Sequence, residues 1–115
     1  MTTIELFEEV FEENVFADPR TQERTDKRCG AYLYMKKVMG MGHVEIGREI
    51  GRSHSTVGLG AKRFEGLLEI GDKSAENIWR IINERVDDIL AYTDGELLTI
   101  EGEVDYMYTS KKIIA

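Results

Sequence analysis

Glu45-Ile46-Gly47-Arg48-Glu49-Ile50-Gly51-Arg52-Ser53-His54-Ser55-Thr56-Val57 is the stretch that decides how this chain folds. It reads as a short helix, a tight turn through Gly51 and the start of a second helix. Glycine is the usual residue just past a helix C-terminus, and Ser53 is a favoured N-cap for the helix that follows. Ser53, His54, Ser55 and Thr56 then fall on the first turn of that second helix. A helix-turn-helix that reads DNA needs such an arrangement, because the first residues of its recognition helix must reach base edges in the major groove.

Periodicity on either side predicts an all-α domain. Ile4, Leu6, Phe7, Val10, Phe11 and Val15 recur at helical spacing among glutamates, predicting a helix over 3–15 with Thr2 or Thr3 as N-cap. Asp18-Pro19 is expected to break it. A second helix is expected over 22–39, stopped by Gly40-Met41-Gly42. A short helix over 43–50 follows, with Val44, Ile46 and Ile50 facing inward. The helix over 54–69 has Val57, Leu59, Ala61, Phe64, Leu67 and Leu68 as its expected apolar side. A last helix over 75–91 carries Ile78, Trp79, Ile81, Ile82, Val86, Ile89 and Leu90 as a broad buried stripe. Residues 1–92 thus form one compact helical domain, and 93–115 a C-terminal extension. In the extension, Leu97–Ile100 and Val104–Thr109 alternate and are rich in β-formers. A short hairpin and an irregular tail both fit that pattern.

Composition is that of a folded protein, 42% hydrophobic and 32% charged. The longest apolar runs fall far short of a membrane span, and the N-terminus lacks the basic region of a signal peptide. A single cysteine, Cys29, excludes an intrachain disulfide, so a reducing cytoplasm is the expected setting. One cysteine with His43 and His54 cannot close a structural zinc site, so no metal is expected.

The net charge of −7 argues against a nucleic-acid partner only if the chain is treated as uniform. Residues 1–19 carry −6, residues 20–63 carry +6 and residues 64–115 carry −7. The basic third contains the helix-turn-helix signal. Phosphate contacts act within a Debye length of roughly 8–10 Å, so local charge outweighs the total. Arg52 stands at the turn within reach of a phosphate, and Lys62 and Arg63 suit the flanking DNA backbone.

Glu45-Ile46-Gly47-Arg48 followed by Gly51-Arg52-Ser53-His54-Ser55-Thr56-Val57 resembles the C-terminal DNA-binding domain of the bacterial replication initiator DnaA. Arg28-Cys29-Gly30-Ala31-Tyr32-Leu33-Tyr34 looks like that family's preceding helix start, at a fitting distance. The resemblance covers about residues 4–90. It implies that Ser53, His54, Ser55 and Thr56 face the major groove. It further implies that Arg20 and Arg24 lie in a basic loop at the minor groove or a phosphate. Lys36, Val44 and Arg52 would touch the backbone, and Arg28 would brace the helix start or a phosphate. Double-stranded DNA is then the partner, and replication or its regulation the setting.

Several positions depart from that family. Ser53 stands where the family has Asp, removing an acceptor suited to cytosine N4. The turn is one residue shorter, and Val44 replaces a proline. Gly58 and Gly60 enter the recognition helix at about 1 kcal/mol each against alanine. Asp18, Glu23 and Asp26 dilute the basic loop. The family's phosphate-binding loop, G-x-x-x-x-G-K-[ST], is not matched, so no ATP is expected.

Other features have plainer readings. No nucleophile, base and orienting group are spaced for catalysis, so an enzyme and a cofactor are not expected. His43 reads as a capping or surface histidine, Cys29 as buried packing and Trp79 as a core anchor. Tyr106 and Tyr108 suit a sheet edge or protein contact, and the extension could hold a protein partner or a second copy. The competing reading is a protein-interaction module that kept the helix-turn-helix fold and lost DNA binding.

Overall fold

A computed structural model describes the backbone of residues 2–17 and 21–101, with side-chain surroundings through residue 91. It contains α1 (Thr3–Phe11), α2 (Gln22–Lys37), α3 (His43–Ile50), α4 (His54–Glu69) and α5 (Lys73–Glu101). There is no strand among the described residues. Contacts divide the chain into two units, Met1–Ile82 and Asn83–Ala115. The division falls inside α5, earlier in the chain than the boundary expected after residue 92. No helix among the described residues is long and apolar enough to cross a membrane.

α1 starts with a capping box. Thr2 Oγ1 accepts from the Glu5 amide at 3.1 Å, and Glu5 Oε1 accepts from the Thr2 amide at 2.8 Å. The helix ends at Phe11, short of the expected residue 15, because Glu12 adopts a left-handed conformation with φ 59°. The chain then folds back through an Asx turn, the Phe16 amide donating to Asn14 Oδ1 at 3.0 Å. Val15 still reaches the core, fully buried, from a loop rather than from a helix.

α2 is the axis of the first unit. Thr21 caps it, and every residue from Arg28 to Met35 is buried. A helix covered on all sides belongs to the centre of a bundle. α3 and α4 both pack on it, and α1 packs on α3. Close approach depends on small residues at two places. A Cβ on Gly30 would lie 3.0–3.2 Å from Ile78, Phe64 and Ile82, and one on Gly60 would lie 2.8 Å from Tyr32. Aromatic rings link these layers: Tyr34 meets Phe7 at 6.3 Å and Trp79 at 5.9 Å, and Trp79 meets Phe64 at 6.2 Å. Such pairs add about 0.5–1.5 kcal/mol each beyond the area they bury.

One expectation fails here. α5 continues to Glu101, so Leu97–Ile100 is helical and not a strand. Four apolar residues cannot by their period distinguish strand from helix, and here the preceding helix simply propagates. Val104–Thr109, with Tyr106 and Tyr108, lies outside the described residues, as does Pro19.

Candidate functional site

The turn between α3 and α4 is built by two glycines with different tasks. Gly51 closes α3 in the left-handed region, φ 76°, and its amide donates to the Gly47 carbonyl. The Arg52 amide donates to that same carbonyl at 2.9 Å. Gly47 is needed for space. A Cβ there would lie well under 3.0 Å from the Arg52 carbonyl oxygen and 3.4 Å from the His54 amide nitrogen. The chain can therefore turn sharply across the end of α3 and start α4 directly.

Ser53 then caps α4. Its hydroxyl accepts from the Thr56 amide at 3.2 Å and donates to Thr56 Oγ1 at 2.9 Å. A hydroxyl has one donor and two lone pairs, so Ser53 retains a single acceptor position. That acceptor could take one hydrogen from a ligand's amino group. The Val57 amide donates to the Ser53 carbonyl at 3.1 Å. The amides of His54 and Ser55 have no intrahelical acceptor, as at any helix start, and they favour an anion. Ser53, His54, Ser55 and Thr56 are all exposed.

Down α4, Val57, Ala61 and Phe64 are buried. At 100° per residue their opposite face is Ser55, Leu59, Lys62 and Gly66. Leu59 is 71% exposed, which corrects its expected place on the buried side. Its spacing gave the signal: 57, 61 and 64 share one stripe, and 59 lies across the helix from it. Val44 is likewise exposed rather than inward, at 58%. That corrects its expected place in the core.

Beside this face lies an open groove of about 580 Å³. Lys36 from α2, His43 from α3, and His54, Ser55, Gly58 and Lys62 from α4 line it. Leu59 and Glu65 complete its wall. His43, expected as a capping or surface histidine, is half-buried in this lining. Its ring lies over Gly58, where a Cβ would come within 2.9 Å of Nδ1. Gly58 thus makes room for an imidazole at the first turn of α3. His43 Nε2 is buried and has no hydrogen-bond partner among the described residues.

Charge around the groove is partly paired. Glu65 is bridged by Lys37, whose hydrogen bond holds the carboxyl below its ordinary value. Lys36 and Lys62 are exposed on the groove. Arg63 is exposed and pairs with Asp26 at 3.0 Å. Cys29 is buried close by, beneath Gly60, and burial pushes its thiol up.

The arginines expected at the site divide sharply. Arg28 is 4% exposed. Its Nε donates to the Val15 carbonyl, and Nη2 donates to the Ala17 carbonyl at 2.9 Å. It braces the loop before α2 and presents no surface to a phosphate, which corrects that half of its expected role. Arg52 is half-buried, with Nη2 donating to the Phe16 carbonyl at 2.8 Å. It ties that loop to the helix-turn-helix. Arg24 pairs with Glu13 at 3.1 Å, and Lys27 pairs with the same carboxylate at 2.8 Å. Hydrogen bonds from Lys27 first, then Arg24, hold the Glu13 carboxyl below its usual range. Burial alone would lower the Lys27 ammonium, but the Glu13 hydrogen bond and charge outweigh it and the net shift is upward. Arg20 lies outside the described residues.

No cluster of three or more metal-binding side chains occurs among the described residues. The chain matches no protein-family model, no curated protein and no solved structure.

Proposed function

We propose that this chain binds double-stranded DNA with a sequence preference, by laying the exposed face of α4 in the major groove. One observation carries the proposal. The α3–turn–α4 unit leaves four successive polar residues at the start of α4, Ser53 to Thr56, exposed beside a groove flanked by Lys36 and Lys62. In this reading His54, Ser55, Thr56 and the remaining acceptor of Ser53 meet base edges. Lys36, Lys62, Arg63 and the N-terminus of α3 meet phosphates, with Val44 packing at the edge of the backbone. Phosphate contacts set register, and base contacts set preference.

The resemblance of residues 45–57 to the initiator's DNA-binding domain supports a role in replication or its control. The differences at Ser53 and in the turn point to a DNA sequence of its own. The chain acts here as a reader, without ATP and without catalysis.

Selection from a random duplex pool over a range of salt tests the proposal. An enriched motif, with affinity falling steeply as salt rises, is expected. His54→Ala should cost about 1–3 kcal/mol on the preferred site and relax one position. Lys62→Ala should weaken all duplexes evenly and reduce the salt slope by about one. Absence of binding at low salt sinks the proposal. It would favour the protein-interaction reading, for which exposed Val38, Val44 and Leu59 are the supporting observation.

A further inference from the structure

The centre of the exposed face of α4 is apolar. Leu59 lies one turn beyond Ser55 and one turn before Lys62. Its sequence neighbours, Gly58 and Gly60, have no side chains to shield it. Gly58 faces the His43 ring, and Gly60 faces Tyr32 and Cys29. Leu59 therefore stands out alone on its turn of the helix. Left in water, a leucine contributes little to folding, and serine or lysine would cover this face at less cost in exposed apolar surface. Its surroundings narrow the kind of surface it would meet. Lys36 and Lys62 line the adjoining groove, and the α4 N-terminus with its unpaired amides lies one turn back. These features suit a polyanion with an apolar spot recessed between its charges.

Duplex DNA has one such spot on its base edges. The thymine C5-methyl is the apolar group of the major groove, and aliphatic side chains pack on it. We propose that Leu59 is a specificity-determining residue that covers a thymine methyl, with Ser55 and Lys62 on its two sides holding the neighbouring base and phosphate. The assignment rests on the duplex-binding reading above and goes further, since it names the base and the atom. It also explains the Gly58-Leu59-Gly60 sequence. Each glycine admits a ring from a neighbouring helix, and between them a single side chain is left to enter the groove.

The test uses the full chain and the duplex recovered by selection. Each thymine is replaced in turn by deoxyuridine, which deletes only the methyl group, and affinity is measured at fixed salt. One such position should weaken binding about fourfold, the worth of one buried methyl group. Leu59→Ala should bind the thymine and uracil duplexes equally at that position. Its melting temperature should stay at or slightly above the parent's, because the site is exposed and alanine is the better helix former. The inference is overturned if no uracil substitution matters, or if Leu59→Ala keeps the full uracil effect and so points to Thr56 or His54. In either case the selected motif and its salt dependence would leave duplex binding standing. Failure to retain any duplex overturns both, and would return Leu59 to a protein contact.

Discussion

Adding one methyl group at Gly47 should destabilise the same fold that adding one at Gly66 stabilises. Both glycines lie in helices, so alanine gains about 1 kcal/mol of helix propensity at either place. At Gly66 nothing lies within 4 Å of the new Cβ, and the gain is realised. At Gly47 the Cβ would lie well under 3.0 Å from the Arg52 carbonyl oxygen, a backbone atom that no rotamer change can move. That carbonyl belongs to the turn held by the Gly51 and Arg52 amides on Gly47 O. Relief requires α4 to shift away from α3. Overpacking of this sort costs about 3 kcal/mol, the upper end of the usual range, because the neighbour is rigid. The net loss is about 2 kcal/mol, a large part of the roughly 5–15 kcal/mol that holds a domain together. Thermal melts followed by far-ultraviolet circular dichroism should place Gly47→Ala about 8–16 °C below the parent and Gly66→Ala about 4–8 °C above it. Duplex affinity should fall with Gly47→Ala at temperatures where it is still folded, because the exposed turn of α4 moves. A Gly47→Ala protein that melts at or above the parent would refute the steric account of this turn.

Four further outcomes follow from particular contacts. Gly58→Ala should lose less than Gly47→Ala, because the atom it meets is the tip of a movable His43 ring, and His43→Ala in the same chain should remove that loss; a double-mutant cycle that comes out additive would exclude the contact. Arg28→Met should destabilise by about 2–3 kcal/mol, since the Val15 and Ala17 carbonyls lose a charged donor; urea titration measures it. Glu13 has a folded pKa below its ordinary 4.5, so its contribution is complete above that value and is lost as pH falls through the lower folded value. Glu13→Gln should therefore flatten the acid limb of stability against pH, and an unchanged limb would rule out the Arg24–Glu13–Lys27 tether. Cys29 should react with a thiol reagent only as fast as the first unit opens, because it is buried and its thiol is held protonated; reaction at the rate of a free thiol would contradict that packing.

Helix positions were legible wherever a cap and a stripe agreed. His43–Ile50 and His54–Glu69 match the expected ranges at both ends, since Gly51 and Ser53 mark the junction unambiguously. The end of α1 was not legible, because Val15 continues the helical spacing while reaching the core from a loop. The extent of α5 was hidden for a related reason: Leu97–Ile100 satisfies the strand pattern as well as the helix pattern. At the candidate site, the exposed first turn of α4 could be read from Ser53 to Thr56. The division among the arginines could not. Charge along a sequence does not show that Arg28 is enclosed with two carbonyls, or that Arg52 is drawn to Phe16 from the other side of a loop.

Local chemistry alone therefore determined the all-α class, the two-helix unit and its capped second helix, because caps, turns and stripes depend on residues a few places apart. Only the tertiary structure decided which side chains remain for a ligand. It sent Arg28 and Arg52 to the loop before α2, and left Leu59, Val44, Lys36 and Lys62 in the open. It also turned the two unexpected glycines of α4 from weak points of a helix into seats for His43 and Tyr32. The physical reason is the same in each case: burial and steric contact depend on what another helix places opposite a residue, and helix spacing along the sequence carries no record of that partner.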